Sequence, residues 1–344
     1  MLIVRPVLST DLDDLLDLAN TAGVGLTTLP KSKEALASRI ENSLKAFSSK
    51  PDLKKNAYYL LVLEDSDTGK VVGTSAIAVG VGLNKPFYTY RLLHVTQEST
   101  EIEKRVDTTL LQVSNDFIGA TEICTLYLAP DYRKGRAGRL LAKARYLLMA
   151  AHRDHFSDRV ISEIRGWVDD DGHSPFWEAI GRKFFDMSFE EADLINGQGN
   201  NQFIMDLMPH YPMYTCLLPE CASSVIGKPH ASALPAVKML EDEGFRFADA
   251  VDIFDGGPAF EVHKEAIWTL RKATKCKLGG VIDGDTTSEE KMVANASLSN
   301  FRVVLGDVVE TAGGHWLSSD IASALKVKSG GVIVFSSLIK TDEE

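Results

Sequence analysis

The sequence predicts an α/β (α+β) chain: a mixed sheet flanked by helices, followed by a small β-rich, barrel-like appendage at the C-terminal end. Three observations carry this expectation. Over residues 1–260, short β-prone runs alternate with segments whose apolar residues recur at helical spacing, the pattern of a sheet with covering helices. Between Glu122 and Ala151 an apolar run leads into a basic glycine loop and then into an amphipathic segment. From residue 261 to residue 344 the texture changes to short strands and glycine turns.

The elements follow in order. Leu2 to Val4 reads as a first strand, and Ser9-Thr10-Asp11 caps a helix carrying Leu12, Leu15, Leu16 and Leu18. The glycine-rich stretch Gly23 to Pro30 ends that helix, and a second helix is expected from Lys33 to Phe47. Tyr58 to Glu64 and Val71 to Val81 form antiparallel strands joined by the turn Asp65-Ser66-Asp67-Thr68-Gly69, with another strand at Phe87 to Val95. Ile123 to Leu128 is a buried strand stopped by Ala129-Pro130-Asp131, and Leu140, Leu141, Ala144, Leu147, Leu148 and Ala151 give the following helix one apolar face. Arg159 to Trp167 is the next strand, and Ser174 caps a helix with Pro175 at its first position. Ala233 to Glu243 is a helix closed by Gly244, and Phe247 to Phe254 returns as a strand into Asp255-Gly256-Gly257-Pro258. Phe176, Trp177 and Trp167 read as core. In the tail, strands are expected at Leu278 to Ile282, Phe301 to Val309 and Val332 to Phe335.

Composition narrows the function classes. With 37 Lys and Arg against 48 Asp and Glu, the 344-residue chain carries a net charge of −11, which argues against a nucleic-acid partner and suits a cationic substrate. The apolar run at the N-terminus is too short for a signal peptide, and no segment approaches the ~20 apolar residues of a membrane span. The four cysteines, Cys124, Cys216, Cys221 and Cys276, lack metal-ligand spacing and read as reduced residues of a cytoplasmic protein, so no metal is expected.

The chemistry is concentrated in the loop Tyr132-Arg133-Lys134-Gly135-Arg136-Ala137-Gly138-Arg139. The first N–H groups of a helix have no intrahelical partner, and the helix dipole adds positive charge there. Glycine admits a close phosphate, and the basic side chains neutralise it. A pyrophosphate fits such a place. Neither the nucleotide P-loop spacing nor the dinucleotide G-x-G-x-x-G occurs. Instead, Arg133 to Gly138 resembles the coenzyme A loop of the GNAT acyltransferase superfamily, R/Q-x-x-G-x-G/A, with Arg136 in place of the first glycine and Gly135 one position earlier. The expected order of strands and helices is that of a GNAT-like domain.

Longer strings narrow the resemblance. Gly25-Leu26-Thr27-Thr28-Leu29-Pro30, Glu122-Ile123-Cys124-Thr125-Leu126, Ser174-Pro175-Phe176-Trp177 and Asp252-Ile253-Phe254-Asp255-Gly256-Gly257-Pro258 resemble the arginine N-succinyltransferase family over nearly the whole chain. The resemblance implies transfer of the succinyl group of succinyl-CoA to the α-amino group of L-arginine, in bacterial arginine catabolism. No permanently bound cofactor is implied. It places the family's CoA contact on Leu126 and its proton-donor histidine on His230. Homo-oligomers or pairing with a related subunit are expected. Other readings remain: an acyltransferase acting on ornithine or another cationic amine, one using acetyl-CoA, or a CoA-binding partner subunit without activity.

The residues supply their own chemistry beside this. A guanidinium stays protonated at any working pH, with a pKa above ~12, whereas an α-amino group titrates near ~8, so the α-nitrogen is the feasible nucleophile. The expected CoA contacts are Leu126, Leu128, Arg133, Lys134, Gly135 and Gly138, with a backbone N–H of the strand polarising the thioester carbonyl. Many GNAT enzymes protonate the leaving thiolate with a tyrosine in the helix that here holds Phe176-Trp177, so the acid must come from elsewhere. A histidine suits the task, and His230 is the candidate among eight. Asp252, Asp255 and Glu261 are candidates for holding the guanidinium, although Asp-Gly-Gly is also an ordinary turn. Arg91 and Arg165 are candidates for the succinyl carboxylate, although such arginines are commonly surface ion pairs. The sequence names no base for the amine.

Overall fold

The computed structural model describes residues 1–22, 28–50, 52–169, 171–197, 202–282 and 290–340. The chain begins with β1 (Leu2–Pro6), α1 (Leu12–Thr21) and α2 (Lys33–Ser48), then β2 (Ala57–Asp65) and β3 (Lys70–Val79). Next come β4 (Thr89–Ser99), β5 (Lys104–Ser114), β6 (Thr121–Leu128), α3 (Ala137–Ala151) and β7 (Arg159–Glu163). Four short helices follow, α4 (Pro175–Ala179), α5 (Gly181–Phe185), α6 (Phe189–Gly197) and α7 (Gln202–Leu207), then β8 (Met213–Tyr214) and α8 (Glu220–Ser223). The next elements are α9 (Leu234–Asp242), β9 (Arg246–Asp252), β10 (Pro258–His263) and α10 (Trp268–Lys272). The last segment holds β11 (Thr274–Ile282), β12 (Glu290–Asn295), β13 (Val303–Asp307), β14 (Val309–Thr311), β15 (Gly314–Ser318), α11 (Ser319–Ala324) and β16 (Val332–Ser337).

The described strands form one mixed, mostly antiparallel sheet in the order β14-β15-β11-β16-β12-β13-β1-β2-β3-β6-β7-β10-β9-β4-β5-β8. Parallel pairing occurs at β6–β7 and β11–β15. Helix α3 lies on one face, where Leu140, Leu141, Leu147 and Leu148 pack with Ile123, Val160, Phe260 and Val262. On the opposite face α1 and α2 bring Leu15, Leu18, Leu36 and Ile40 against Leu60, Val62 and Ala76. The helices after β7 gather around Phe176 and Trp177, both fully buried, together with Tyr90 and Phe254. Strand β10 runs across residue 260, and β13 bonds to β1 through Val4 and Val303, so the C-terminal strands extend the main sheet.

Several local expectations meet their cause directly. Asp65 to Gly69 does turn β2 into β3, with the Gly69 N–H donating to the Asp65 carbonyl at 2.8 Å and Gly69 at φ +71°. Ser174 caps α4 by accepting the Trp177 N–H. The sequence reading differs from the structure at two places. It omits β5, whose first residues are exposed and show no alternation of apolar and polar side chains. The expected strand from Arg159 to Trp167 stops at Glu163 because the chain there leaves the sheet, and this leaves Trp167 exposed. The stretch Gly23 to Thr27 lies outside the described residues.

Candidate active site

The site is built where β6 and β7 part. They pair only at Thr121↔Val160 and Glu122↔Ile161, and the last tie is the Ser162 hydroxyl donating to the Ile123 carbonyl at 3.0 Å. Beyond it β6 stays with β3 while β7 stays with β10. The Cys124 carbonyl at the opening accepts from the buried Arg145 of α3 at 3.3 Å. A register shift against β3 lies between the pairs Tyr127↔Thr74 and Cys124↔Ala76, so Thr125 and Leu126 stand opposite the single residue Ser75. Thr125 there adopts φ +56°, a conformation that a β-branched residue rarely takes. Its hydroxyl lies 2.6 Å from that of Tyr58. Such a bulge re-aims backbone groups, and it places them at the mouth of the opening.

From that mouth β6 runs into the basic loop. Pro130 to Tyr132 makes one turn, and Arg133 folds back so that its Nε donates to the Leu128 carbonyl at 2.9 Å, with its guanidinium over the Tyr127 ring. Gly135 turns the chain at φ +64°. Helix α3 then begins with no side-chain cap and no acidic residue in its first turn, which leaves its N-terminal N–H groups and dipole facing the loop. A Cβ on Gly138 would meet only Leu128, at 3.8 Å. Leu128 is buried, Leu126 half-buried against the core, and Arg133 and Lys134 exposed. The expected CoA residues thus succeed one another along the chain from the bulge to the helix start, while Arg136 is turned aside into an ion pair with Glu290.

On the far side of the opening a strap carries His230. The Gly227 N–H donates to the Gly256 carbonyl at 2.8 Å, Pro229 bridges to Gly166, and the His230 N–H donates to the Arg165 carbonyl at 2.9 Å. The imidazole Nδ1 accepts the Ser232 N–H at 3.2 Å and lies 2.7 Å from the Ser232 hydroxyl. The turn after β9 is locked to the same segment. Asp255 takes the Gly166 N–H at 2.6 Å on one oxygen and the Gly257 N–H at 2.8 Å on the other. Asp252 takes those of Phe254 and Asp255. Backbone meets backbone so closely here that a Cβ on Gly257 would lie 2.1 Å from the Ile164 carbonyl oxygen.

The structure adds two residues that sequence reasoning did not single out, Glu122 and Glu163. Glu122 pairs with Ile161, and Glu163 lies two residues along β7, so both point to the face opposite α3. Burial, opposed by Arg39 and reinforced by Asp252, pushes the Glu122 carboxyl up to about 7. Burial and the nearby Asp252, Glu122 and Asp255 carboxylates push Glu163 well above its usual range. Burial also raises Asp252, and burial plus Asp252 raises Asp255 strongly. The result is a cluster of four interacting carboxyl groups, each raised by burial. The signal available in the sequence is a glutamate just before the strand expected at Ile123 to Leu128 and another inside the strand expected at Arg159 to Trp167.

Arg91 stands apart from this cluster. Its guanidinium is engaged by Asp116 and by the Ala248 carbonyl, and it lies over the Phe117 ring. Arg165 contributes its backbone to the His230 strap. Elsewhere, Asp169, Asp171 and His173 bring three potential metal-ligating atoms within 4.8 Å of one another, but Asp169 is occupied in bonding the N–H groups of Asp171 and His173.

Comparison with known proteins identifies the family. The family described as arginine N-succinyltransferase beta subunit matches residues 2–269, and the C-terminal domain of the same family matches residues 275–336. A protein named arginine N-succinyltransferase from Escherichia coli is 41% identical over 333 residues, covering 96% of this chain and 96% of its own. One of the same name from Citrobacter koseri is 44% identical over 308 residues, covering 89% of this chain and 88% of its own. Among solved structures, the arginine/ornithine succinyltransferase subunit AI from Pseudomonas aeruginosa superposes with a TM-score of 0.88 at 31% identity, covering 99% of both chains. Family matches over residues 2–269 and 275–336, together with 41% identity across 96% of both chains, place the chain in the arginine N-succinyltransferase family.

Proposed function

We propose that this chain transfers the succinyl group of succinyl-CoA to the α-amino group of L-arginine. The observation that carries the reading is the placement of a cluster of buried carboxyl groups and an uncapped, acid-free helix start beside one strand opening. CoA lies along Leu126 and Leu128, with its pyrophosphate over Arg133, Lys134, Gly135 and Gly138. The backbone N–H of Leu126, in the bulge, polarises the thioester carbonyl. Arginine enters from the carboxylate side, where Asp252, Asp255 and Glu163 favour a permanently charged substrate. His230, held at the end of β7, protonates the departing thiolate. The reaction belongs to the cytoplasm, where succinyl-CoA is available, and the chain works as an oligomer with itself or with a related subunit.

A second reading has one specific support: the Pseudomonas aeruginosa relative is named for ornithine as well as arginine. Ornithine is also cationic, so the pocket would accept it. The purified chain is mixed with succinyl-CoA and arginine, ornithine or citrulline, and free thiol is followed. Thiol release with arginine and not with citrulline supports the proposal. Release without any amino acid, or with none of them, contradicts it.

A further inference from the structure

We propose that Arg145, which reaches from α3 to the opening between β6 and β7, binds the free carboxylate of the acyl donor and so favours donors ending in a carboxylate over acetyl-CoA. The proposal rests on the acyl-transfer reading and deepens it by naming the residue that reads the donor.

Arg145 differs from the other buried cations. Among the described residues four cationic side chains are buried, Arg5, Lys143, Arg145 and Lys264. Arg5 meets Asp11 at 2.7 Å, Lys143 meets Glu243 at 2.8 Å and Lys264 meets Asp158 at 3.3 Å. Arg145, only 4% exposed, forms no ion pair among the described residues. Its Nε donates to the Ala142 carbonyl at 2.9 Å and its Nη1 to the Cys124 carbonyl at 3.3 Å, both neutral acceptors. Its Nη2 has no hydrogen bond among the described residues.

Nothing nearby supplies the missing negative charge. The ionisable groups facing Arg145 are Tyr146 and Cys124. Burial raises the Tyr146 hydroxyl and lifts the Cys124 thiol to about 12, so neither ionises near neutrality. Glu122 and Glu163 point to the face opposite α3. Burial lowers the Arg145 guanidinium from its usual value, yet an arginine keeps its charge inside a protein. A buried cation is costly unless paired, and an anionic ligand completes the pair. Arg91, which the sequence offered for this task, is already held by Asp116.

The position suits a succinyl group. Helix α3 runs back alongside β6: a Cβ on Gly138 would meet Leu128 at 3.8 Å, and seven residues later Arg145 reaches Cys124, four residues back along the strand. Seven helical residues rise about 10 Å and four strand residues about 13 Å, so the two contacts share one register. With the pyrophosphate at the start of α3 and the thioester carbonyl at the Leu126 N–H, Cys124 lies two residues, or about 7 Å, further on. Three C–C bonds of ~1.5 Å separate the two carboxyl carbons of a succinyl group, and the carboxylate oxygens and guanidinium fork span the remainder. An acetyl group ends short and leaves the guanidinium unpaired.

The test measures binding of succinyl-CoA, acetyl-CoA and CoA by calorimetry, and kcat/KM with L-arginine for both donors, in wild type, Arg145→Met and Arg145→Lys. Wild type should bind succinyl-CoA roughly a hundredfold more tightly than acetyl-CoA. Arg145→Met keeps an unbranched side chain without the charge, so succinyl-CoA should lose roughly a hundredfold and CoA itself less than about threefold. Arg145→Lys keeps the charge but not the fork and should lose about tenfold of the preference, and it carries the test if the methionine variant does not fold. The kcat/KM ratio of the two donors should fall in step. A structural arginine would weaken both donors equally. An unchanged succinyl-to-acetyl ratio in either folded variant would therefore overturn the proposal, as would equal affinity of wild type for the two donors. A wild-type chain that binds succinyl-CoA but transfers nothing to arginine would instead sink the acyl-transfer reading and leave the assignment of Arg145 standing.

Discussion

The His230 N–H donates to the Arg165 carbonyl at 2.9 Å, which ties a loop histidine to the segment just past β7, 65 residues earlier in the chain. The imidazole therefore sits beside the opening between β6 and β7 because backbone, not side-chain, bonds hold its strap. Its own Nδ1 accepts the Ser232 N–H, so the ring also caps the turn that follows. Replacement by alanine would remove both the acid and the cap. His230→Asn keeps an acceptor for the cap and removes only the acid. We expect it to lower kcat by roughly a hundredfold or more with succinyl-CoA binding nearly intact, measured by steady-state thiol release and calorimetry. Unchanged kcat, with chemistry shown to be rate-limiting, would assign the histidine a structural role.

Gly138→Asp separates binding from folding. An acidic residue in the first turn of α3 interacts favourably with the helix dipole by about 0.3–1 kcal/mol, and a Cβ at this position would meet only Leu128, at 3.8 Å. Melting temperature should hold or rise while CoA binding disappears, because a carboxylate now occupies the phosphate approach. A folded variant with wild-type CoA affinity would move the site elsewhere.

Acceptor charge should matter more than acceptor shape. Citrulline matches arginine closely in size but leaves the pocket's carboxyl groups without a permanent cation, a loss of several kcal/mol where charge is buried. L-Arginine should therefore exceed citrulline by on the order of a hundredfold in kcat/KM. Equal turnover of the two would exclude an acidic acceptor pocket.

The same pocket makes the free protein acid-favoured. Glu122, Glu163, Asp252 and Asp255 all have native pKa values raised above those of the unfolded chain, so the native state holds more protons. Their stabilising contribution is complete below the unfolded carboxylate range and is lost as pH rises through the native values, which for Glu122 means about 7. Thermal melting should thus fall from pH 5.5 to pH 8, and Glu163→Gln should flatten that slope while raising stability at the alkaline end. A slope unchanged in Glu163→Gln would mean that this carboxyl is ionised in the native protein.

A buried ion pair elsewhere bears on the fold itself. Lys143 of α3 meets Glu243 at 2.8 Å, both almost completely buried, and Glu243 also accepts the Thr269 N–H and hydroxyl. Lys143→Met would leave a buried carboxylate without its cation and should destabilise the fold by about 3–5 kcal/mol, read by denaturant unfolding. A loss below ~1 kcal/mol would show that the Thr269 bonds suffice.

What the sequence made legible follows from what is local. The β2–β3 turn, the Ser174 cap and the start of α3 each depend on a few neighbouring residues, and each appears where the residues put it. The bulge at Thr125 was not legible, because a β-branched residue at positive φ is imposed by packing between β3 and β6 rather than by its own preference. The acidic pocket was half legible. Asp252 and Asp255 stand out in a turn, but Glu122 and Glu163 read as strand residues until the register of β6 and β7 puts them on one face. Arg91 shows the reverse: its chemistry suits a carboxylate, and the carboxylate it meets is Asp116.

Identification of the acylated product tests the central claim most directly. The purified chain is incubated with succinyl-CoA and L-arginine, and the product is analysed by mass spectrometry and nuclear magnetic resonance. The account predicts one succinyl group per arginine, carried on the α-nitrogen with the guanidinium unmodified, and one free thiol per product. Absence of product, or succinylation of the guanidinium, would contradict it.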